Sequence, residues 1–240
     1  MGIGDASETQ VSILHRISSI VSSHLSLDEM LGEVVGLAVQ ATACDACLVY
    51  LIDRESKDIV LRASQVPHAA DLGNLRMKIG EGVTGWVVEH KSVVALASNA
   101  GADTRFKRFQ ALVEDTYEAF LSVPLVSGGE AIGVINVHHR QPHEHSPNEI
   151  GITVFIGEQL GVAISRSLLA QENARLTEEL ETRKLVERAK GILQHRYNLS
   201  EEDAYLRLRN QSRRLRRPMK ELAEAIILAE DLNRQGSAPE

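Results

Sequence analysis

Apolar and polar residues alternate with two different periods along the first two thirds of this 240-residue chain. Residues 7–43 carry apolar positions at helical spacing and predict two helices, with Ser26 as the N-cap of the second and Glu29 completing a capping box. Shorter runs with strand character follow at 47–53, 58–66, 92–96, 119–126 and 131–139. This succession predicts an α+β domain with a central antiparallel sheet flanked by helices.

Turn and loop signals separate these runs. Ser127-Gly128-Gly129-Glu130 is a strong tight-turn signal between the last two strands. Residues 80–91 look like a Gly-punctuated turn that enters a short helix, and residues 67–81 are predicted as loop. Gly80, Gly82 and Gly85 lack the Gly-Lys-Ser/Thr ending of a phosphate-binding loop, which favours a turn.

The helical period resumes at Asn148 and continues to about Tyr197 without a proline. Leu169, Leu176 and Leu180 form a heptad-like series, which suggests that this connecting helix pairs with a copy of itself. The alternative is a single amphipathic helix that lies on its own domain.

The C-terminal segment predicts a small three-helix unit that includes the end of this long helix. Asn198 tolerates the left-handed backbone that ends a helix, Ser200 caps the next helix, and Pro218 suits the first turn of the last one. The buried candidates of the middle helix are Ala204, Leu208 and Leu215.

Charge is distributed unevenly between the two parts. Residues 1–170 have a net charge of −8, whereas residues 171–240 have a net charge of +1. Residues 204–220 contain seven basic side chains and no acidic one: Arg207, Arg209, Arg213, Arg214, Arg216, Arg217 and Lys220. A basic end on an acidic body accompanies polyanion binding, although many charge runs are only solvated helix faces.

Composition excludes several classes of protein. The 43% hydrophobic and 25% charged residues exclude wholesale disorder. No apolar run reaches the roughly 18 residues of a membrane span, and the N-terminus has neither the basic nor the apolar region of a secretory signal. Two cysteines cannot form a disulfide scaffold, so a cytoplasmic protein without a membrane partner is expected.

Residues 187–227 resemble the ANTAR family, the RNA-binding domain of bacterial transcription antiterminators. The resemblance rests on motifs in order: Glu187-Arg188-Ala189-Lys190-Gly191-Ile192-Leu193, Ser200-Glu201-Glu202-Asp203-Ala204-Tyr205, Leu208-Arg209, Ser212 and Glu221-Leu222-Ala223. Two departures, Asn198 in place of a glycine just before the serine and Gln194 in place of a methionine, remove no basic group.

The N-terminal part resembles a GAF domain, a common sensory module. The supporting motifs are Gly80-Glu81-Gly82-Val83-Thr84-Gly85-Trp86, Asp103-Thr104-Arg105-Phe106, and Ser122-Val123-Pro124-Leu125 leading into Gly133-Val134-Ile135-Asn136-Val137. The expected architecture is a GAF-like domain at 1–168 (core 25–165), a helical or coiled-coil linker at 169–184 and a three-helix ANTAR domain at 185–240. The resemblance allows a small-molecule ligand in the GAF domain, but the sequence requires no cofactor and leaves the ligand-binding residues unknown.

The ANTAR resemblance implies a mechanism in which the protein binds two short hairpins in a nascent leader transcript and prevents a terminator from forming. One domain per hairpin makes a homodimer the natural reader. Tyr205, Arg209 and Arg213 recur every four residues on one helix face, where an aromatic ring and guanidinium groups suit unpaired bases and phosphates. The complete set of predicted RNA-binding residues is Arg183, Arg188, Lys190, Gly191, Tyr205, Arg209, Ser212 and Arg213.

Other functions and sites are less well supported by the residues. A DNA-binding regulator and a protein-interaction adaptor with a basic docking helix remain the alternatives. No catalytic motif is recognisable, so an enzyme is not expected. Cys44 and Cys47 form a C-x-x-C that we interpret as structural. His138, His139, His143 and His145 could bind a metal, but no cysteine or spaced carboxylate completes a known pattern, which favours a polar loop and no metal.

Overall fold

The computed structural model describes residues 3–23, 25–65, 72–106 and 116–235. The chain divides into two compact units, Met1–Leu168 and Leu169–Glu240. One long helix belongs to both units, because it begins in the first and ends in the second.

The first unit contains two N-terminal helices, a sheet and the start of the long helix. Ser26 and Glu29 form the predicted capping box, with the Ser26 N–H donating to Glu29 Oε2 over 2.9 Å. The predicted loop at 67–81 contains a short strand, which pairs with an edge of the sheet and was not visible as a pattern because it is two residues long. The elements are α1 Ile3–Ser22, α2 Leu27–Thr42, β1 Ala46–Ile52, β2 Ile59–Ser64, β3 Arg76–Met77, α3 Gly82–His90, β4 Val94–Leu96, β5 Ala119–Ser127, β6 Glu130–His139 and α4 Pro147–Tyr197.

Six strands of the described chain form one antiparallel sheet in the order β3-β2-β1-β6-β5-β4. Successive side chains of β1 point to opposite faces, so Cys47 and Val49 join one core while Leu48 and Tyr50 join the other. Helices α1, α2 and α4 contribute to the first core, and α3 contributes to the second. The predicted α+β class, with helices on the faces of an antiparallel sheet, is confirmed.

Helix α4 packs closely against β5 because two of its residues lack a side chain. A Cβ added at Gly161 would lie 2.4 Å from the Val126 carbonyl oxygen, and one at Gly157 would lie 3.0 Å from the Pro124 carbonyl oxygen. By length and composition α4 could also cross a membrane, since one 18-residue window has a mean hydropathy of 1.3. A core helix passes the same test, and 44% of that window is buried.

The second unit is built from the end of α4, α5 (Glu201–Leu215) and α6 (Met219–Gln235). Asn198 has φ 51° directly after α4, and Ser200 Oγ accepts from the Asp203 N–H at the start of α5, as predicted. The prediction for Leu215 was wrong: its side chain is 48% exposed, because it is the last residue of α5 and lies beyond the packed part of the helix. The buried residues of this core are Val186, Ala189, Leu193, Ala204, Leu208, Ala223 and Ile227.

Candidate nucleic-acid interface

Helix α5 presents a polar face beside its buried residues. Ala204 and Leu208 pack into the core. Tyr205 and Arg209 each directly follow one of these buried residues, so they lie about 100° further round the helix, near the edge of the core. Tyr205 is 40% exposed, whereas Arg209 is half-buried. The buried Nε of Arg209 has no hydrogen-bond partner among the described residues.

The end of α5 concentrates positive charge. Arg213, Arg214 and Arg216 are exposed, and none has a carboxylate within 4.0 Å in the described part of the chain. Cations near a helix C-terminus are favoured by the helix dipole, so the fold accepts this cluster without neutralising it. The two remaining cations of the turn and of α6 are weakly paired, Arg217 with Glu221 and Lys220 with Glu178, each over 3.5 Å.

Two backbone hydrogen bonds fix the turn that carries this cluster. The N–H of Arg217 donates to the Ser212 carbonyl over 3.1 Å, and the N–H of Arg216 donates to the Arg213 carbonyl over 3.3 Å. Ser212 Oγ also donates to the Arg217 carbonyl over 2.6 Å, so its hydroxyl proton is used in ending the helix. Arg216 adopts a left-handed conformation with φ 53°, which is unfavourable for arginine and is most easily adopted by glycine.

Lys190 is placed differently from the other predicted RNA-binding residues. Its side chain is buried, and its ammonium group donates to both carboxylate oxygens of Glu187, over 3.0 and 2.9 Å, and to Glu201 over 2.8 Å. The hydrogen bonds from Glu201 and Glu187 raise the pKa of Lys190, so it stays charged. These three bonds use all three protons of the ammonium group, and they tie α4 to the first residue of α5.

Gly191 and Arg188 line a groove between α4 and α6. The groove has a volume of about 660 Å³, and its lining includes His195, Arg196 and Asp231. Arg188 donates to both carboxylate oxygens of Asp231, over 2.9 and 3.1 Å, so its charge is already compensated. Gly191 is exposed, and no described atom lies within 4 Å of a Cβ built on it.

The structure therefore separates the eight predicted residues into groups. Tyr205, Arg209, Ser212 and Arg213 share α5, Arg188 and Gly191 share the groove, Lys190 joins α4 to α5, and Arg183 is exposed on α4. The seven-residue spacing of Arg183 and Lys190 predicted that both charges lie on one exposed helix face. Arg183 is exposed, but Lys190 is buried and paired with carboxylates.

One exposed pair was not among the predicted site residues. Arg207 of α5 stacks over the ring of Tyr197 at the end of α4, with 4.1 Å from the guanidinium carbon to the ring centroid. Tyr197 is 47% exposed, so an aromatic ring and a cation are presented together. In the sequence these two residues are ten positions apart and lie on different helices. Their spacing therefore does not indicate a contact, which forms only when α5 packs against α4.

The first unit contains a half-open cavity. A space of about 530 Å³ is lined by apolar residues including Leu51, Val60 and Leu168, with charged residues such as Arg54 and Asp53 in its lining. The two cysteines lie elsewhere in this unit and are both buried and free. Burial raises the pKa of both thiols, which makes them poor nucleophiles.

Family comparisons match both parts of the chain. A model of the GAF domain matches residues 26–164, and a model of the ANTAR domain matches residues 174–227. The transcriptional regulatory protein PdtaR of Mycobacterium tuberculosis is 42% identical over 71 residues, which are 29% of this chain. The chain spans about a third (35%) of the length of this curated relative.

Solved structures resemble the first unit. The GAF domain of a phosphoenolpyruvate-protein phosphotransferase from Coxiella burnetii is 28% identical, with a TM-score of 0.63 over 68% of this chain and 96% of that one. The corresponding Acinetobacter domain is 24% identical, with a TM-score of 0.60 over 67% and 95% of the two chains. A free methionine-R-sulfoxide reductase from Neisseria meningitidis, 20% identical with a TM-score of 0.57 over 67% and 91%, shares the fold alone.

Proposed function

Because the chain belongs to the GAF domain family and carries an ANTAR domain after its GAF domain, we propose that it is a signal-responsive transcription antiterminator. In this proposal the ANTAR domain binds paired hairpins in nascent leader RNA in the cytoplasm and prevents a terminator stem from forming. Both domains are regulatory, which supports a sensor and regulator rather than an enzyme. The similarity to PdtaR, a transcriptional regulatory protein, supports the same class.

The observation that carries this proposal is the uncompensated positive charge at the end of α5. Three exposed guanidinium groups, those of Arg213, Arg214 and Arg216, have no described acidic partner, on a chain whose net charge is −7. Such a cluster attracts a polyanion, because phosphate contacts release condensed counterions. It lies on the same helix as Tyr205, whose exposed ring can stack on an unpaired base.

The other predicted residues receive separate roles. Arg209 extends the cationic face of α5, and Gly191 allows the RNA backbone to approach α4 at a place where no side chain intervenes. Lys190 acts as a positioning residue, because its three hydrogen bonds hold the start of α5 against α4. Loss of Lys190 is therefore expected to weaken RNA binding through the orientation of α5.

A homodimer would let one protein bind two hairpins. Leu169, Leu176 and Leu180 on α4 are 57%, 48% and 56% exposed. This spacing supports pairing with a second copy, since exposed leucines at heptad-like positions are covered when two such helices associate. Two linked RNA contacts then raise avidity through effective concentration. We further propose that a signal received by the GAF domain changes this pairing through the continuous α4 helix.

A binding titration with the full chain tests the RNA function. The probes are a tandem-hairpin leader RNA, the same RNA with mutated loops, and duplex DNA, each at two salt concentrations. We expect loop-dependent binding that falls steeply with salt. The variant Arg213→Gln with Arg214→Gln should weaken binding at least about tenfold, by analogy with losses of about 1.4 kcal/mol or more for lost charged contacts.

A matched control removes the same kind of charge from the first unit. Arg16→Gln changes an exposed arginine of α1, away from the lining of the cavity, and should leave RNA affinity unchanged. Preference for duplex DNA would favour a DNA-binding regulator instead. Absence of salt-dependent binding to any nucleic acid would contradict the proposal and favour an adaptor that docks on an acidic protein.

A further inference from the structure

Three of the four clustered histidines meet at the end of β6. His138 and His139 are neighbours on this strand, so they point to opposite faces of the sheet. His138 packs against Tyr117 and Phe120, with ring centroids 6.3 and 4.5 Å away. His139 instead meets His143 and His145 of the following loop. The loop that the sequence predicted as merely polar therefore folds back onto the strand.

These three rings form a compact cluster. The potential ligand atoms of His139, His143 and His145 all lie within 4.8 Å of one another. The ring centroids of His139 and His143 are 3.8 Å apart, and that of His145 lies 5.5 and 5.1 Å from those of His139 and His143. Three imidazoles at this separation are the donor set of a transition-metal site.

Two of the rings have buried nitrogens without a partner. Nε2 of His139 and Nε2 of His145 have no hydrogen-bond partner among the described residues, although the two side chains are only 6% and 9% exposed. Buried polar atoms are nearly always satisfied, so two unsatisfied nitrogens in one cluster need an explanation.

A carboxylate completes the cluster from the adjoining helix. Nε2 of His143 lies 2.9 Å from Glu149 Oε1, while Glu149 Oε2 accepts from the Ser146 N–H over 2.7 Å. Glu149 lies in the first turn of α4. A carboxylate that fixes the ring of a ligating histidine is the usual arrangement around protein-bound metals. The sequence analysis found no carboxylate in a known metal-binding pattern, because this partner is brought to His143 only when the loop folds against the first turn of α4.

We propose that His139, His143 and His145 bind one Zn²⁺ ion, with Glu149 orienting the His143 ring. Zinc takes neutral imidazole ligands at about 2.0–2.1 Å in tetrahedral geometry, which places ligand nitrogens roughly 3.4 Å apart. The rings of His139 and His143 are stacked, with 15° between their planes, so they rotate to aim one nitrogen each at the ion when it binds. His143 is one third exposed and gives the ion a path from solvent.

The site joins three parts of the GAF domain. His139 belongs to β6, His143 and His145 to the connecting loop, and Glu149 to α4. Bound Zn²⁺ joins the end of β6 to the loop that follows it, and the hydrogen bond between His143 and Glu149 extends this link to the start of α4. Because all four residues lie in the first unit, this proposal is independent of the proposed RNA binding.

Zinc binding is measured with the full chain, without an affinity tag and after treatment with a chelator. Titration with Zn²⁺ in competition with a chromophoric chelator should show one tight equivalent per chain. His143→Ala should weaken binding at least about tenfold, and Glu149→Gln by roughly 10–100-fold, as expected when the group that orients a ligand is lost. His15→Ala, which removes an exposed histidine of α1, should leave the affinity unchanged.

A second readout identifies the ligands directly. In Co²⁺-loaded protein the visible absorption of a tetrahedral nitrogen site is expected, and His143→Ala should abolish it while the circular dichroism of the chain is retained. Less than one equivalent of Zn²⁺, or an affinity that His143→Ala does not change, would overturn the proposal. Binding of Mg²⁺ as tight as that of Zn²⁺ would do so as well, because Mg²⁺ requires oxygen ligands.

Discussion

Gly191→Ala separates a role in RNA binding from a role in the fold. Gly191 lies inside α4, six residues before its end at Tyr197, and a methyl group added there meets no described atom within 4 Å. Glycine costs a helix interior about 0.8–1.0 kcal/mol relative to alanine. The substitution should therefore stabilise the end of α4 by about 1 kcal/mol.

RNA affinity should change in the opposite direction. If the RNA backbone approaches α4 at Gly191, the added methyl group forces the RNA away, and overpacking of this kind costs about 1–3 kcal/mol. The expected loss of affinity is then about fivefold or more. Gly191→Ala would thus be a more stable protein and a weaker RNA binder.

Both effects can be measured in the full chain. Hydrogen exchange of amides in α4 reports local stability, and a gain of 1 kcal/mol slows exchange about fivefold where opening is local. A gel-shift titration with the tandem-hairpin RNA reports affinity. Gly151→Ala is the matched control, because Gly151 also lies on α4 with no described atom within 4 Å of an added Cβ. It should slow exchange near its own position and leave RNA affinity unchanged.

The result that would refute the reasoning is slower exchange around Gly191 with unchanged RNA affinity. The RNA would then not approach α4 at this residue, and the interface would be restricted to α5. Faster exchange would show that another part of the protein contacts Gly191.

Three further predictions concern charge, positioning and assembly. Arg216→Gly should stabilise the turn after α5 by about 1 kcal/mol, since glycine adopts the left-handed conformation without strain, and thermal unfolding measures this gain. The same substitution should weaken RNA binding and reduce its salt dependence, which a titration at several salt concentrations measures. Lys190→Met should destabilise the second unit by about 1 kcal/mol and weaken RNA binding, whereas Arg213→Gln should weaken RNA binding alone. Hydrogen exchange of amides in the second unit, measured beside the RNA titration, separates the two effects. Equal exchange rates in Lys190→Met and the unsubstituted protein would contradict the positioning role of Lys190. Leu176→Ser should weaken self-association at least about tenfold in sedimentation experiments, while Leu228→Ser, at another exposed leucine, should not.

The sequence determined most of the elements, although not the two-residue strand β3, and the identity of both domains. Capping and turn residues act through contacts within a few positions, so Ser26, Ser200 and Asn198 could be assigned to helix ends before the structure was known. Short apolar runs likewise predicted β1 and β6 as strands, because a core covers each face of the sheet and both sets of side chains are buried. The ANTAR and GAF motifs were recognisable for the same reason, since each is a short run of residues in order.

Only the tertiary structure decided which of the candidate site residues are exposed to solvent, which form ion pairs and which lie in contact with one another. Lys190 looked like a free cation, but the packing of α5 against α4 brings Glu201 to its ammonium group. His139, His143 and His145 come together because the loop after β6 returns to the strand, and Glu149 joins them from the start of α4. Local periodicity carries no information on such contacts, because they depend on how separate elements pack and on how an irregular loop folds.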